Sequence, residues 1–189
     1  MHHTPSPAAS GADHPKGSIV AKVGLLSDSH GRASTTRNAV RILLRRDVDV
    51  LIHLGDIGTV EVIDAMIERL DSAGRLSPPI HVVFGNTDWD IGPLGDYARR
   101  IGITVNHPVG SLAFDDKTLV FQHGHSQAAM DQALAEGATW LCHGHSHAIR
   151  DERIGPTRII NPGALFRASR YTVAVLDTHA DAVDWLDVS

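Results

Sequence analysis

The stretch IVAKVGLLSDSH, residues 19–30, decides the fold of this chain. Its first nine residues, Ile19–Ser27, form a mostly apolar run, which is typical of a strand buried on both faces. The run ends in polar, glycine-containing sequence that begins with Asp28 and includes His30. The pattern therefore predicts a buried β-strand whose carboxyl end carries side chains able to bind a metal ion.

Two further strands with polar ends follow along the chain. The predicted elements are a helix over about residues 34–46, a strand Val48–His53, a helix from the N-cap candidate Thr59 to about Leu70, and a strand Ile80–Phe84. The second and third strands lead into Gly55-Asp56 and Gly85-Asn86. This β-α-β-α-β order implies parallel strands joined by right-handed crossovers.

The C-terminal half has a different pattern, with shorter elements and turn sequences between them. The predicted elements are a hairpin of Leu112–Phe114 with Leu119–His123, a helix Ser126–Glu136, a strand Thr139–Cys142, and strand pairs within Arg150–Ile160 and Tyr171–Trp185. We expect an α/β fold with two packed sheets and helices outside. Residues 1–17 are expected to be a disordered tail, and residues 18–189 a single domain.

The composition of the chain argues against several classes of function. Apolar residues make up 42% and charged residues 21% of the chain, which are ordinary globular values, and the formal net charge of −5 argues against generic binding to nucleic acid or acidic membranes. No apolar run approaches the roughly 20 residues needed to span a bilayer. The lone cysteine, Cys142, excludes an internal disulfide. We expect a cytoplasmic protein, for which a homo-oligomer is one option.

Side chains of the types that bind metals recur directly after the predicted strands. An Asp-x-His triplet or a Gly-Asp pair after a strand is by itself usually a turn. Their repetition after five strands favours a common site instead, since neighbouring parallel strands direct their carboxyl ends to one crevice. The candidate ligands are Asp28, His30, Asp56, Asn86, His123, His145 and His147.

In this order the motifs resemble those of the calcineurin-like metallophosphoesterases. The His123-Gly124-His125 and Asn161-Pro162-Gly163 elements and the chain length are similar, more narrowly, to the small bacterial and archaeal phosphodiesterase branch, which includes the small scaffolding subunit of retromer. The resemblance implies a four-layer αββα sandwich with two mixed β-sheets and two metal ions. One ion would take Asp28, His30, Asp56 and His147, and the other Asp56, Asn86, His123 and His145, with Asp56 bridging.

The implied ligands contain only oxygen and nitrogen donors, which suit Mn²⁺ first, with Fe, Co, Ni or Zn as alternatives. Two divalent ions bring four positive charges, whereas Asp28 and Asp56 supply two negative ones. The site should therefore attract an anion, such as a bridging hydroxide together with a phosphate ester. The expected reaction is in-line hydrolysis of a phosphodiester, and the expected substrate a small phosphate ester or a nucleotide.

One residue departs from the pattern of many phosphatases in this family. Those proteins have a histidine after the Gly-Asn that serves the leaving group or the phosphate, whereas Thr87 stands here. His125 is the candidate substitute, as a catalytic group or a substrate contact, and Asn86 is expected to serve catalysis and substrate as well. Arg32 is a further candidate for contact with a phosphate oxygen.

Several other polar and aromatic residues are weaker candidates for a functional role. His53 and Asp88 are expected to orient ligands rather than to be ligands. Trp89 and Tyr97, in the predicted loop after the third strand, are candidates to stack on a nucleoside. Arg167 and Arg170 are either phosphate contacts or solvent-facing residues.

Two functions other than phosphodiester hydrolysis stay open. The first is a metal-stabilised interaction scaffold of the retromer-subunit type, against which the complete set of candidate ligands argues. The second is a phosphomonoesterase or protein phosphatase, which the small size of the chain and the presence of Thr87 disfavour.

Overall fold

A computed structural model describes residues 21–67 and 78–189 of the chain. The first half alternates strands and helices as predicted. Its elements are β1 (Lys22–Leu26), α1 (Ala33–Leu44), β2 (Val50–His53), α2 (Val60–Ala65), β3 (Ile80–Val82), α3 (Ile91–Arg100) and β4 (Thr104–Val105). The expected tail, residues 1–17, lies outside the described residues. The helix predicted to reach about Leu70 ends earlier, at Ala65, with Met66 as its C-cap residue.

The second half is built mainly from antiparallel strand pairs. Its elements are β5 (Val109–Phe114), β6 (Lys117–Gln122), α4 (Gln127–Ala135), β7 (Trp140–Cys142), β8 (Ile149–Ile154), β9 (Thr157–Pro162), β10 (Thr172–Asp177) and β11 (Ala182–Asp187). The strands form a six-stranded sheet, β11-β10-β1-β2-β3-β4, and a five-stranded sheet, β5-β6-β7-β9-β8. β1 to β4 run parallel, while β10 and β11 pair antiparallel.

Strand residues alternate between two apolar cores. In β2, Val50 and Ile52 face the core between the two sheets, where they meet Phe121 and Trp140, whereas Leu51 faces the opposite side. The outer face of the six-stranded sheet is covered by α1, α2 and α3. The outer face of the five-stranded sheet is covered by α4. The predicted four-layer αββα sandwich is therefore confirmed.

The segment after β3 was predicted to be a loop, and this prediction was wrong. It contains α3 and the short strand β4, and Tyr97 lies within the helix. Gly92, Pro93 and Gly95 argue against a helix on intrinsic propensity. Pro93 nevertheless lies in the first turn, where its missing N–H has no intrahelical partner to lose, and Gly95 is buried beside Phe84.

The helix after β2 begins close to where the sequence predicts. Thr59 is its N-cap residue, although the Thr59 hydroxyl makes no capping hydrogen bond. None of the helices in the described ranges is long and apolar enough to cross a membrane. With β1, β2 and β3 parallel in one sheet and β6 and β7 parallel in the other, the loops after these five strands carry all of the candidate ligands.

Candidate metal centre

Five of the seven candidate ligands have an unusual backbone conformation. Asp28, His30, Asp56, His145 and His147 all have positive φ angles, between 42° and 66°. Residues with a Cβ seldom adopt this left-handed region, and such strain concentrates at functional sites. The tight loops turn these side chains back over the ends of the strands, so that segments distant in sequence meet.

Asp56 occupies the middle of the group. Its Oδ2 atom lies 3.4 Å from His30 Nε2, and its Oδ1 atom lies 3.4 Å from His123 Nε2. Oδ1 also accepts a hydrogen bond of 3.0 Å from the backbone N–H of Thr87. The two oxygens of one carboxylate therefore face two different histidines on opposite sides.

Asp28 and His147 join the His30 side. Asp28 Oδ1 lies 3.3 Å from His147 Nε2, and the Nε2 atoms of His30 and His147 are 3.4 Å apart. The Asp28 carboxylate is fully buried, and its Oδ1 atom has no hydrogen-bond partner. A buried anionic oxygen without a donor is costly, and a bound cation is the usual remedy.

Asn86 and His145 join the His123 side. Asn86 Oδ1 lies 3.1 Å from His123 Nε2, and the rings of His123 and His145 have centroids 5.1 Å apart. His123 Nδ1 donates to the Leu54 carbonyl over 2.8 Å, which directs Nε2 toward Asn86 and Asp56. Asp28 Oδ2 accepts from the N–H of His145 over 3.1 Å and so connects the two sides.

The pKa values of the two carboxylates are shifted in opposite directions. Burial raises the pKa of Asp28. Burial would also raise the pKa of Asp56, but hydrogen bonds from His123 and from the Thr87 N–H outweigh it and hold that pKa well below its usual range. Burial lowers the pKa of His30, so this imidazole is neutral near pH 7 and able to bind an ion.

Two glycines allow the backbone to approach the candidate ligands closely. A Cβ at Gly85 would lie 2.1 Å from Asp56 Oδ1 and 2.7 Å from His123 Nε2. A Cβ at Gly144 would lie 2.8 Å from Asp28 Oδ2. Glycine beside the candidate ligands therefore serves close approach of backbone to carboxylate, as well as the turns themselves.

Asp88 connects two of the loops. Its carboxylate accepts hydrogen bonds from the N–H groups of Ile57 (3.2 Å), Gly58 (2.7 Å) and Gly85 (2.8 Å). The first two donors follow Asp56, and the third precedes Asn86. Asp88 itself is buried. Its contacts match the orienting role expected of it, since it holds the backbone on which two candidate ligands lie.

His53 has a similar position below the site. The Gly55 N–H donates to His53 Nδ1 over 3.2 Å, which leaves the proton on Nε2 to be donated to Ser29 Oγ over 2.8 Å. Burial lowers the pKa of His53 to about 3, so the ring is neutral. It joins the loop that contains Asp28 and His30 to the loop that contains Asp56.

The other candidates lie around the rim. His125 is exposed, with ring centroids 5.5 Å from His123 and 6.3 Å from His145. Thr87, the departure from the family pattern, places its Oγ1 atom 3.4 Å from His30 Nδ1. Trp89 is 88% exposed and borders a cavity of about 310 Å³ that Thr87 also lines.

Two candidates, Tyr97 and Arg170, are engaged elsewhere, as is His143. The Tyr97 hydroxyl donates to Asp64 and thereby connects α3 to α2, so Tyr97 does not lie beside the candidate ligands. Arg170 pairs with Asp187 at 2.7 Å. His143, between His123 and His145 in sequence, accepts from Arg150 and bonds to the Gly144 carbonyl.

The sequence provided no signal for Phe166. This half-buried ring has its centroid 5.1 Å from that of His30, and it also contacts Arg32 and Arg167. A single phenylalanine after a turn forms no sequence pattern that would predict its contact with His30 and two arginines.

The chain is similar to known proteins in both sequence and structure. A sequence model described as a calcineurin-like phosphoesterase superfamily domain matches residues 21–181. The phosphodiesterase MJ0936 of Methanocaldococcus jannaschii is 27% identical over 161 residues, covering 83% of this chain and 93% of that protein. A probable metallophosphoesterase of Bacillus subtilis, YsnB, is 26% identical over 175 residues, covering 86% and 89%. The solved structure of an archaeal phosphodiesterase superimposes with a TM-score of 0.76 at 26% identity, covering 88% of this chain and 99% of that one.

Proposed function

The chain belongs to the calcineurin-like phosphoesterase superfamily, and from that membership we propose that it is a phosphodiesterase that uses two divalent metal ions. The observation that carries the proposal is the placement of Asp56. One of its oxygens faces His30 and the other faces His123, each at 3.4 Å. A carboxylate between two sets of imidazole ligands is the arrangement that a pair of bridged ions requires.

The described residues fit such ions. Two overlapping groups of donor atoms each lie within 4.8 Å of one another: Asp28 with His30 and His147, and Asp28 with Asp56 and His123. The Asp28 Oδ1 atom, buried and without a hydrogen bond, would gain a partner. Nitrogen and oxygen donors suit manganese, iron, cobalt, nickel and zinc, and we propose manganese as the native ion.

We assign the ligands in two sets that share Asp56. The first ion would be held by Asp28, His30, Asp56 and His147, and the second by Asp56, Asn86, His123 and His145. When bound, a pair of divalent ions lowers the pKa of a water molecule and offsets the charge of a phosphate ester. Residues of the chain would keep the ligands in position. Asp88 does so by accepting from the Gly58 N–H, and His53 by its hydrogen bond to Ser29 Oγ.

Two residues are proposed to act on the ester itself. His125 lies on the exposed side of His123 and His145, where its ring can reach an oxygen of a bound ester. The Asn86 side chain, also exposed, can donate to the phosphate through its amide nitrogen while its oxygen faces His123. Because Thr87 provides no imidazole, esters with good leaving groups should react fastest.

The proposal covers residues 18–189 as one catalytic domain acting on small phosphate esters or nucleotides. It is tested by hydrolysis of bis(4-nitrophenyl) phosphate with added manganese. We expect metal-dependent release of nitrophenolate by the wild-type protein and a loss of at least about 100-fold in Asp56→Ala, which removes the shared ligand. Asp131→Ala, a change at an exposed carboxylate on α4, is the matched control and should retain full activity.

Two results would contradict the proposal. Absence of hydrolysis with every divalent ion tried, in a folded protein, would favour the interaction scaffold. Faster release of phosphate from phosphopeptides than of nitrophenolate from the diester would favour a protein phosphatase. Metal analysis of the purified protein, performed beside the assay, identifies the bound ion.

A further inference from the structure

An aromatic ring and two arginines form a cluster beside the His30 side of the metal centre. The guanidinium carbon of Arg32 lies 4.8 Å from the centroid of the Phe166 ring, and that of Arg167 lies 5.0 Å from it. The same ring lies 5.1 Å from the His30 ring, centroid to centroid. We call Arg32, Phe166 and Arg167 the cluster.

No carboxylate of the described residues neutralises the two guanidinium groups. Both arginines are exposed, and among residues 21–67 and 78–189 no carboxylate forms an ion pair with either of them. The neighbouring Arg170 differs, since it pairs with Asp187 at 2.7 Å. Two unpaired cations in a chain of net charge −5 provide a local attraction for an anion beyond the one that the metal centre would bind.

The backbone holds the cluster in place from two sides. The Arg32 N–H donates to the Ser29 carbonyl over 2.8 Å, in the loop that contains Asp28 and His30. On the other side, the Leu165 N–H donates to the Ser27 carbonyl over 3.2 Å, and Ala164 forms a β-bridge with Tyr171. Both arginines are therefore attached to the same turn of backbone that presents Asp28.

The turn before Phe166 is also tied to the histidine loop. The Asn161 side-chain amide donates to the Gly144 carbonyl over 2.8 Å and to Ser146 Oγ over 3.1 Å, while its oxygen accepts from the Gly163 N–H over 2.9 Å. Ser146 lies between His145 and His147. The cluster and the metal centre are thus connected by one network of hydrogen bonds.

We propose that Arg32 and Arg167, which both contact the Phe166 ring, form a subsite for a second phosphate group of the substrate. The guanidinium fork matches the oxygens of a phosphate, and stacking on an aromatic ring restricts its motion, so that little freedom is lost on binding. The preferred substrate is then a diester whose organic part carries a further phosphate, such as a phosphorylated nucleotide ester. This inference rests on the proposed function, since it places the reacting phosphate at the metal centre.

A matched pair of substrates isolates the second phosphate. Thymidine 5′-(4-nitrophenyl phosphate) and the same compound with a 3′-phosphate release the same leaving group from the same diester. We expect the wild-type manganese enzyme to show a kcat/KM at least about 10-fold higher for the 3′-phosphorylated compound, because charge-assisted hydrogen bonds to one more phosphate are of that strength.

The variants Arg32→Ala and Arg167→Ala should each lower that preference, the ratio of the two kcat/KM values, to within about 3-fold of unity. Phe166→Leu should lower the preference in part, because it frees both guanidinium groups. Arg170→Ala, in the same loop but paired with Asp187, should retain the wild-type preference. Thermal unfolding should be nearly unchanged in the arginine variants, since both side chains are exposed.

Binding provides a second measurement that does not depend on turnover. Thymidine 3′,5′-bisphosphate should bind the manganese-loaded wild-type protein more tightly than thymidine 5′-monophosphate, and loss of either Arg32 or Arg167 should remove the difference. If wild type hydrolyses both substrates equally well, the subsite is wrong although the phosphodiesterase stands. If neither substrate is hydrolysed with any divalent ion and neither nucleotide binds, the proposed function and the subsite fail together.

Discussion

Asp88→Asn is the change that best separates support of the metal centre from metal binding itself. The Asp88 carboxylate accepts three backbone hydrogen bonds, two through Oδ2 from Ile57 and Gly85 and one through Oδ1 from Gly58. Asparagine preserves the shape but offers only one oxygen. If that oxygen retains the first two bonds, the new amide group faces the Gly58 N–H, and two donors oppose each other.

The size of the effect follows from the bonds lost. Hydrogen bonds to a charged group contribute about 1.5–3 kcal/mol each, and the two remaining bonds lose their charge assistance. We expect the free energy of unfolding to fall by about 2–4 kcal/mol in the metal-free protein. For a chain of this size that corresponds to a melting temperature lower by about 5–15 °C. Metal affinity should fall by about 10–100-fold, the usual cost of removing a group that orients ligands.

Thermal unfolding by circular dichroism and manganese titration by calorimetry measure the two effects. Asp90→Asn is the matched control, because Asp90 is exposed two residues away and makes no side-chain capping bond to α3. A melting temperature for Asp88→Asn within about 2 °C of wild type, together with unchanged manganese affinity, would refute the role assigned to the three hydrogen bonds.

Three further outcomes are expected. Asp56→Asn should weaken binding of both metal ions more than Asn86→Ala does, because it removes the charge of the bridging carboxylate; equal losses in a calorimetric manganese titration would argue against the bridge. Removal of metal by EDTA should abolish diester hydrolysis. It should leave the far-ultraviolet circular dichroism spectrum largely intact, since the strands have their own apolar core. Loss of that spectrum would mean that the ions also stabilise the fold. His53 has a pKa lowered from 6.5 to about 3 in the folded protein, so the unfolded chain binds the additional proton below pH 6.5. The free energy of unfolding of the metal-free protein should therefore fall between pH 6.5 and 3, by up to about 1.4 kcal/mol per pH unit from this residue, and His53→Gln should reduce that slope in denaturant titrations; an unchanged slope would contradict a neutral buried ring.

The local sequence was sufficient to predict the strands and loops that form the site. Apolar runs such as Ile19–Ser27 and Val48–His53 indicate buried strands because a strand covered on both faces needs apolar side chains on both. Polar residues directly after such runs must lie at strand ends. Parallel pairing then brings those ends to one edge, and for this reason the loops of Asp28, Asp56 and Asn86 were expected to meet.

Sequence reasoning was less successful where propensity and packing oppose each other. The segment IGPLGDYARR contains two glycines and a proline, and its intrinsic preference is against a helix. Packing of Leu94 and Ala98 into the core around Phe84 nevertheless makes residues 91–100 helical. Propensity is a difference of about 1 kcal/mol at each glycine, and burial of two apolar side chains is enough to exceed it.

The motif order by itself determined the family, the strands and the loops that carry the candidate ligands, because periodicity and turn residues act over a few positions. Only the tertiary structure decided which Asp56 oxygen faces which histidine, which N–H groups Asp88 accepts, and that Phe166 holds two arginines beside His30. Such contacts join distant segments; the His145 N–H, for example, donates to Asp28, which lies 117 residues away in sequence. Their geometry depends on how two sheets pack, and no local pattern encodes it.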